Sequence, residues 1–136
     1  MLVGVAATPN VAIPTLDWLI GSEHKLELVI TQPDKPSGRG RTMKQTAVAD
    51  WATSHAIPIV KPESSLELTG VIDHLDCIVT IGYGVLLPQV ILDLPKHGFI
   101  NLHFSLLPAY RGAAPAQRAL QSGESVTGIS VFQLEK

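Results

Sequence analysis

Short apolar runs that alternate with helix-like stretches are the strongest constraint on what this chain can fold into. Leu2 to Ala6 is the first run, and Ala7-Thr8-Pro9-Asn10 leads from it into the apolar-periodic stretch Ile13 to Ile20, with Gly21 as the stop. Pro14 lacks an N–H to donate, so it must lie in the first turn of that helix. Leu26 to Thr31 reads as a second strand, whereas Gln32 to Arg41, with two prolines and two glycines, is too broken for regular structure. Thr46 to His55 reads as a helix with Ala47, Val48 and Trp51 on one face, and Ile57 to Val60 as a short strand. Ser64 or Ser65 caps a weaker helical stretch to about His74. Asp76 to Gly82 is nearly all apolar, as expected of a strand covered on both faces. Pro88 to Leu94 reads as a helix with Pro at its first position, Gly98 to His103 as a fifth strand, Pro115 to Ser122 as a helix, and Thr127 to Leu134 as a sixth strand. Strands alternating with helices predict an α/β fold, doubly wound on a mostly parallel sheet, in one domain over residues 1–136.

Composition fits a filled interior: 46 % of the 136 residues are hydrophobic and 16 % are charged. A net charge of −2 does not suggest a nucleic-acid binder as a whole, so charge matters only locally. The single cysteine, Cys77, falls in a buried-strand pattern and reads as a core residue; no disulfide can form within the chain, which fits a reducing cytosol. No apolar run approaches the ~20 residues of a membrane helix. The first residues lack a basic segment and read directly as a strand, so no signal peptide is expected.

The stretch Phe99 to Gly112, FINLHFSLLPAYRG, carries the chemistry. Asn101 and His103 are two apart, which on a strand puts both on one face at its carboxyl end, where open α/β sheets bind their ligands. An imidazole can move a proton near neutral pH, and an amide N–H₂ can stabilise an oxyanion without titrating. The pair suits direct attack on a carbonyl carbon by an external nucleophile. Ser105 is not in a G-x-S-x-G elbow, so a covalent intermediate is not indicated. On residue type alone, a structural and a catalytic role fit His103 equally.

Two common chemistries fit poorly. The first strand–helix turn, Val5 to Asn10, has no glycine, and Pro9 removes an N–H, so the dinucleotide fingerprint is missing; no phosphate-binding P-loop occurs either. None of His24, His55, His74, His97 and His103 pairs with another His, Cys or carboxylate at metal-ligand spacing, and the first four read as exposed or helix-terminal. No metal is expected.

Asn101-x-His103-x-Ser105-Leu106-Leu107-Pro108-x-x-x-Gly112 resembles the signature of the folate-dependent formyltransferases. Further matching pieces are Thr8-Pro9, Thr31 to Arg41 (TQPDKPSGRGR), Tyr83 to Pro88 (YGVLLP), Arg111 to Arg118 (RGAAPAQR) and Thr127-Gly128, in order along nearly the whole chain. The set is similar to the N-terminal catalytic domain of those members that formylate methionyl-tRNA. That resemblance implies a Rossmann-like formyltransferase fold and a cytoplasmic, monomeric enzyme of translation initiation with no membrane association. It would transfer the formyl group of 10-formyltetrahydrofolate to the amino group of initiator methionyl-tRNA. By the same resemblance, Asn101 would hold the formyl oxygen and His103 would assist proton transfer. Tyr83, Gly84, Val85, Leu86 and Leu87, with Ser105, Leu106, Leu107 and Pro108, would form the folate pocket.

The Gln32–Lys44 loop carries Lys35, Arg39, Arg41 and Lys44 against Asp34, a local charge of +3. With the resemblance, these four cations are expected to contact the tRNA acceptor end, with Arg39 the critical member. Departures from the family pattern are Ala7, where glycine is usual, and Gly82, where alanine is common. The family's essential aspartate would belong to a glycine-rich loop beginning just past Lys136, and its C-terminal barrel domain is not represented. The chain therefore resembles an incomplete domain, expected to have little or no turnover alone, because nothing would polarise His103. Alternative readings are a formyltransferase acting on a small amine (glycinamide ribonucleotide or an amino-sugar nucleotide), or a non-catalytic folate- or RNA-binding module.

Overall fold

The computed structural model describes residues 1–38 and 40–135. Its elements are β1 (Leu2–Ala7), α1 (Ile13–Ile20), β2 (Lys25–Ile30), β3 (Lys35–Ser37), β4 (Thr42–Lys44), α2 (Ala47–Ser54), β5 (Ile59–Val60), β6 (Cys77–Ile81), α3 (Gln89–Leu92), β7 (Phe99–His103), α4 (Pro115–Gln121) and β8 (Ser130–Gln133). Six strands form one sheet in the order β5-β2-β1-β6-β7-β8. The first five are parallel and β8 runs antiparallel to β7. The chain winds outward from β1 in both directions, as the alternation of runs predicts, and the order reverses between β1 and β6.

Two apolar layers clothe the sheet. On one face Val3, Val5, Ala7, Val29 and Ile81 pack with Leu16 and Leu19 of α1 and with Val48, Trp51 and Ala52 of α2. On the other, Ala6, Ile30, Ile78 and Phe99 pack with Leu68, Ile72, Tyr83, Ile91 and Leu92. Each fully buried aliphatic or aromatic side chain contributes roughly 1.5–3 kcal/mol. Cys77 is buried, and burial pushes its thiol up from its ordinary value. At the opposite end of the sheet, the Leu2 N–H donates to Asp76 Oδ2 at 2.7 Å, which holds that carboxyl below its usual range.

Helix ends follow their local chemistry. Thr46 caps α2 by accepting from the Ala49 N–H at 3.1 Å, and Thr31 and Thr46 hydroxyls meet at 2.8 Å, fastening the cap to the end of β2. Trp51 Nε1 donates to Asp17 at 2.7 Å, tying α2 to α1.

Three expectations are corrected. The Gln32–Arg41 stretch is not wholly irregular: β3 pairs antiparallel with β4, setting Lys35 opposite Lys44. The weaker helix after Ser64 is only a 3₁₀ turn over Ser65–Leu68, with a full capping box from Ser64 and Glu67. Gly70 adopts φ +77°, and the Asp73 carboxylate accepts its N–H at 2.7 Å, so the backbone turns away before a helix can extend. Pro88 caps α3 from an extended conformation (φ −70°, ψ 157°) instead of entering it, and α3 is a single turn.

The turn after β1 is closed by a proline. Gly82, at φ +57°, leaves so little room that a Cβ there would stand 2.8 Å from Pro9 Cγ. Pro9 thus sits against the end of β6 at the point where the strand order reverses.

Candidate active site

Beyond the carboxyl ends of β6 and β7 lies a cavity of about 800 Å³. Its walls come from the Gly82–Leu87 segment after β6, from β7 and Phe104, from the Arg111–Ala114 loop, and from Phe132 and Leu134 at the β8 edge. β7 supplies the polar side. Phe99 is fully buried at its start, and Asn101 and His103, on the same face, emerge half-buried into the cavity. The period-two expectation for this pair holds.

Each of the two polar side chains has a fixed partner. Parallel register sets Thr80 of β6 beside Asn101, and the Thr80 hydroxyl donates to Asn101 Oδ1 at 2.8 Å. That engages the amide oxygen and leaves the N–H₂ as the cavity-facing donor. His103 Nε2 lies 3.0 Å from the Tyr110 carbonyl oxygen. A carbonyl only accepts, so Nε2 carries hydrogen and Nδ1 of the neutral ring is left with its lone pair.

The Tyr110 carbonyl is held from outside. Tyr110 has φ +54°, its hydroxyl donates to Glu124 at 3.0 Å, and the Arg118 guanidinium lies 5.8 Å over its ring. Arg118 of α4 also donates to the Arg111 carbonyl at 2.8 Å, so one side chain touches both Tyr110 and the residue after it.

The Ser105–Pro108 turn splits into lining and support. Leu107 lines the cavity, but Ser105, Leu106 and Pro108 do not. Ser105 is completely buried; its Oγ donates to the Ala109 carbonyl at 2.6 Å, and its own carbonyl accepts from Ser130 Oγ at 2.8 Å. Ser130 Oγ in turn accepts the Leu107 N–H at 3.0 Å. The turn is therefore fastened to β8, with Ser105 among its fasteners.

Across the cavity, Tyr83, Gly84, Val85, Leu86 and Leu87 all contribute to the wall. The Tyr83 ring belongs to the core, and burial pushes its phenol up. Leu86 is 96 % exposed, an apolar side chain with no packing role in the chain itself. Gln32 Nε2 donates to the Tyr83 carbonyl at 2.8 Å and Thr8 Oγ1 to the same carbonyl at 3.2 Å. Thr80, Phe104, Arg111 and Phe132 also line the cavity and were not singled out as site residues from the sequence. Phe132 lies opposite Asn101 across β7–β8, a neighbour that only sheet register reveals.

Of the expected cationic residues, Lys35, Arg41 and Lys44 do not line this cavity. Lys35 and Lys44, exposed and opposed across the hairpin, border a smaller concavity of about 290 Å³ with Thr8, Gln32 and Thr46. Lys35 Nζ donates to Gln32 Oε1 at 2.7 Å, and Asp34 is paired with Lys61 at 2.5 Å. Arg41 is exposed at the hairpin turn, with φ +48°. Arg39 lies outside the described residues. Among the described residues no three His, Cys, Asp or Glu side chains converge as metal ligands. No described helix is long and apolar enough to cross a membrane.

A mostly parallel sheet with an amide and an imidazole on one cavity wall defines the candidate site, and residues 2–136 match the family model described as formyl transferase. The chain belongs to the formyl transferase family. A methionyl-tRNA formyltransferase of Salinispora tropica is 48 % identical over 141 residues, covering 100 % of this chain and 46 % of the relative. The methionyl-tRNA formyltransferase of Salinispora arenicola is 47 % identical with the same coverage. The chain spans about half the length of the curated relatives it matches. A phosphoribosylglycinamide formyltransferase structure from Bacillus halodurans superposes with a TM-score of 0.77 at 20 % identity, covering 100 % of this chain and 73 % of that one, a likeness in fold.

Proposed function

We propose that this chain is the formyl-transferring unit of a cytoplasmic enzyme that passes the formyl group of 10-formyltetrahydrofolate to the amino group of initiator methionyl-tRNA. The observation that carries this reading is the Asn101 amide beside the His103 ring on one wall of a large, mostly apolar cavity. The names of the relatives, at 42–48 % identity, supply the substrate class.

The chemistry follows from these groups. The amine nitrogen attacks the formyl carbon, a C–N bond forms, and the carbonyl electrons move onto oxygen. The Asn101 N–H₂ donates to that developing oxyanion. His103 Nδ1, its ring held by the Tyr110 carbonyl, takes the proton from the attacking nitrogen. Collapse of the tetrahedral intermediate breaks the bond to folate N10, which receives a proton as tetrahydrofolate leaves. The flat, hydrogen-bonding pterin suits the slot between Tyr83–Leu87 and Leu107. Ser105, with Ser130, serves it by fastening the turn that carries Leu107.

Lys35, Arg41 and Lys44, together with Arg39, would receive the acceptor-end phosphates. Like charges directly opposed across a hairpin repel, and an anion between Lys35 and Lys44 relieves that repulsion.

The test is formylation of charged initiator tRNA by the full-length protein, with Asn101→Ala as the probe. Loss of one oxyanion donor is expected to lower kcat about 10²–10³-fold. Faster formylation of a small phosphorylated amine than of methionyl-tRNA would overturn the substrate assignment. Tight folate binding without any transfer would make the chain a binding module.

A further inference from the structure

We propose that Thr80 is a positioning residue for the oxyanion donor: its hydroxyl fixes which end of the Asn101 amide faces the reacting carbonyl. The proposal rests on the formyl-transfer reading above. An asparagine side chain presents either a donor or an acceptor to its cavity, depending on a half-turn about its last bond. With the oxygen facing the cavity, an approaching formyl oxygen would be repelled. Rate enhancement by such a group requires that its N–H be aimed before charge develops.

Thr80 supplies that bias. It is 4 % exposed, its Cα is the register partner of Asn101, and its Oγ1 lies 2.8 Å from Asn101 Oδ1. The backbone alternative for the same hydroxyl, the Ile100 carbonyl, is farther at 3.3 Å. Both side chains stand on adjacent central strands, so neither depends on a mobile loop for its placement. Thr80 also lines the cavity, yet its hydroxyl is directed sideways at Asn101.

Threonine and valine have nearly the same shape, so Thr80→Val removes the hydroxyl with little repacking, while Thr80→Ser keeps it. In the full-length protein, Thr80→Val is expected to lower kcat for formyl transfer about tenfold with KM for the folate within about twofold, and Thr80→Ser to stay near wild type. In the Thr80→Val, Asn101→Ala double variant, kcat is expected to fall no further than in Asn101→Ala alone. A second readout is independent of turnover: the Asn101 side-chain N–H₂ resonances, identified by their loss in Asn101→Ala, are expected to shift in Thr80→Val and remain in Thr80→Ser. If Thr80→Val does not fold, Thr80→Ala carries the same two readouts. Unchanged kcat and resonances in the hydroxyl-less variant overturn the proposal, as do equal losses in Thr80→Val and Thr80→Ser. Absence of transfer by the wild type with the resonance shift intact would overturn the reaction assigned above and leave the amide orientation standing.

Discussion

Ser105→Ala separates two roles that a serine beside a ligand pocket could play. The side chain is completely buried, and its hydroxyl donates to the Ala109 carbonyl at 2.6 Å inside the turn that ends β7. Deleting the hydroxyl removes one intramolecular hydrogen bond, worth about 1 kcal/mol net. It also strands the Ala109 carbonyl, at a cost of up to about 3 kcal/mol if no water replaces the lost donor. Ala109 itself is exposed, so water can reach its carbonyl, and a loss of about 1–2 kcal/mol is the reasonable figure. In a domain of this size, that lowers Tm by roughly 3–8 °C. Thermal unfolding followed by circular dichroism reads it directly. The turn also carries Leu107 into the cavity and leads to the Tyr110 carbonyl that holds His103, so under the proposed function a few-fold rise in KM for the folate should accompany the loss. A Tm within about 1 °C of wild type together with a tenfold weaker folate affinity would refute the reasoning. It would mean that Ser105 contacts the ligand and does not hold the turn.

Two further outcomes are expected. Gln32 bonds the Tyr83 carbonyl through its nitrogen and Lys35 through its oxygen, so under the proposed function Gln32→Ala should raise KM for both folate and charged tRNA, each about 2–10-fold; a change in one alone would show that the side chain does not serve both. Burial holds the Cys77 thiol's proton to higher pH in the folded chain than in the unfolded one, which ionises near pH 8.5; this thiol's contribution to stability should therefore be constant below that pH and fall as pH rises above it. Urea midpoints at pH 7 and 9.5 test this, with a smaller decline in Cys77→Ala, and rapid labelling of the native thiol by a disulfide reagent would contradict it.

The fold was legible where burial repeats along the chain. β1 and β6 are nearly continuous apolar runs because both faces of a central parallel strand are covered, and β7 keeps that pattern until Asn101 and His103. The β3–β4 hairpin was not legible. Its two three-residue strands are exposed, bury nothing, and are held by backbone pairing that leaves no hydrophobic pattern. The short α3 and the 3₁₀ turn after Ser64 were over-read for a related reason: capping signals mark where a helix starts but not how far packing lets it run.

At the site, Asn101 and His103 were legible because period two needs only their own strand. Thr80 and Phe132 were not, since each meets Asn101 through register set by 20 to 30 intervening residues. Ser105 was read as a pocket residue from its place in the signature, and the structure gives it buried bonds to its own turn.

Pro9, packed against Gly82 at the reversal of strand order, changes which backbone groups the first strand–helix turn can offer. In doubly wound sheets that crevice is the usual berth of nucleotide phosphates, which need close backbone approach and free N–H groups. Here Pro9 packs against Gly82 and offers no N–H donor. The larger open cavity sits one strand farther along, between β6 and β7. The turn that phosphate-binding sheets of this architecture line with free N–H groups here carries a residue that has none.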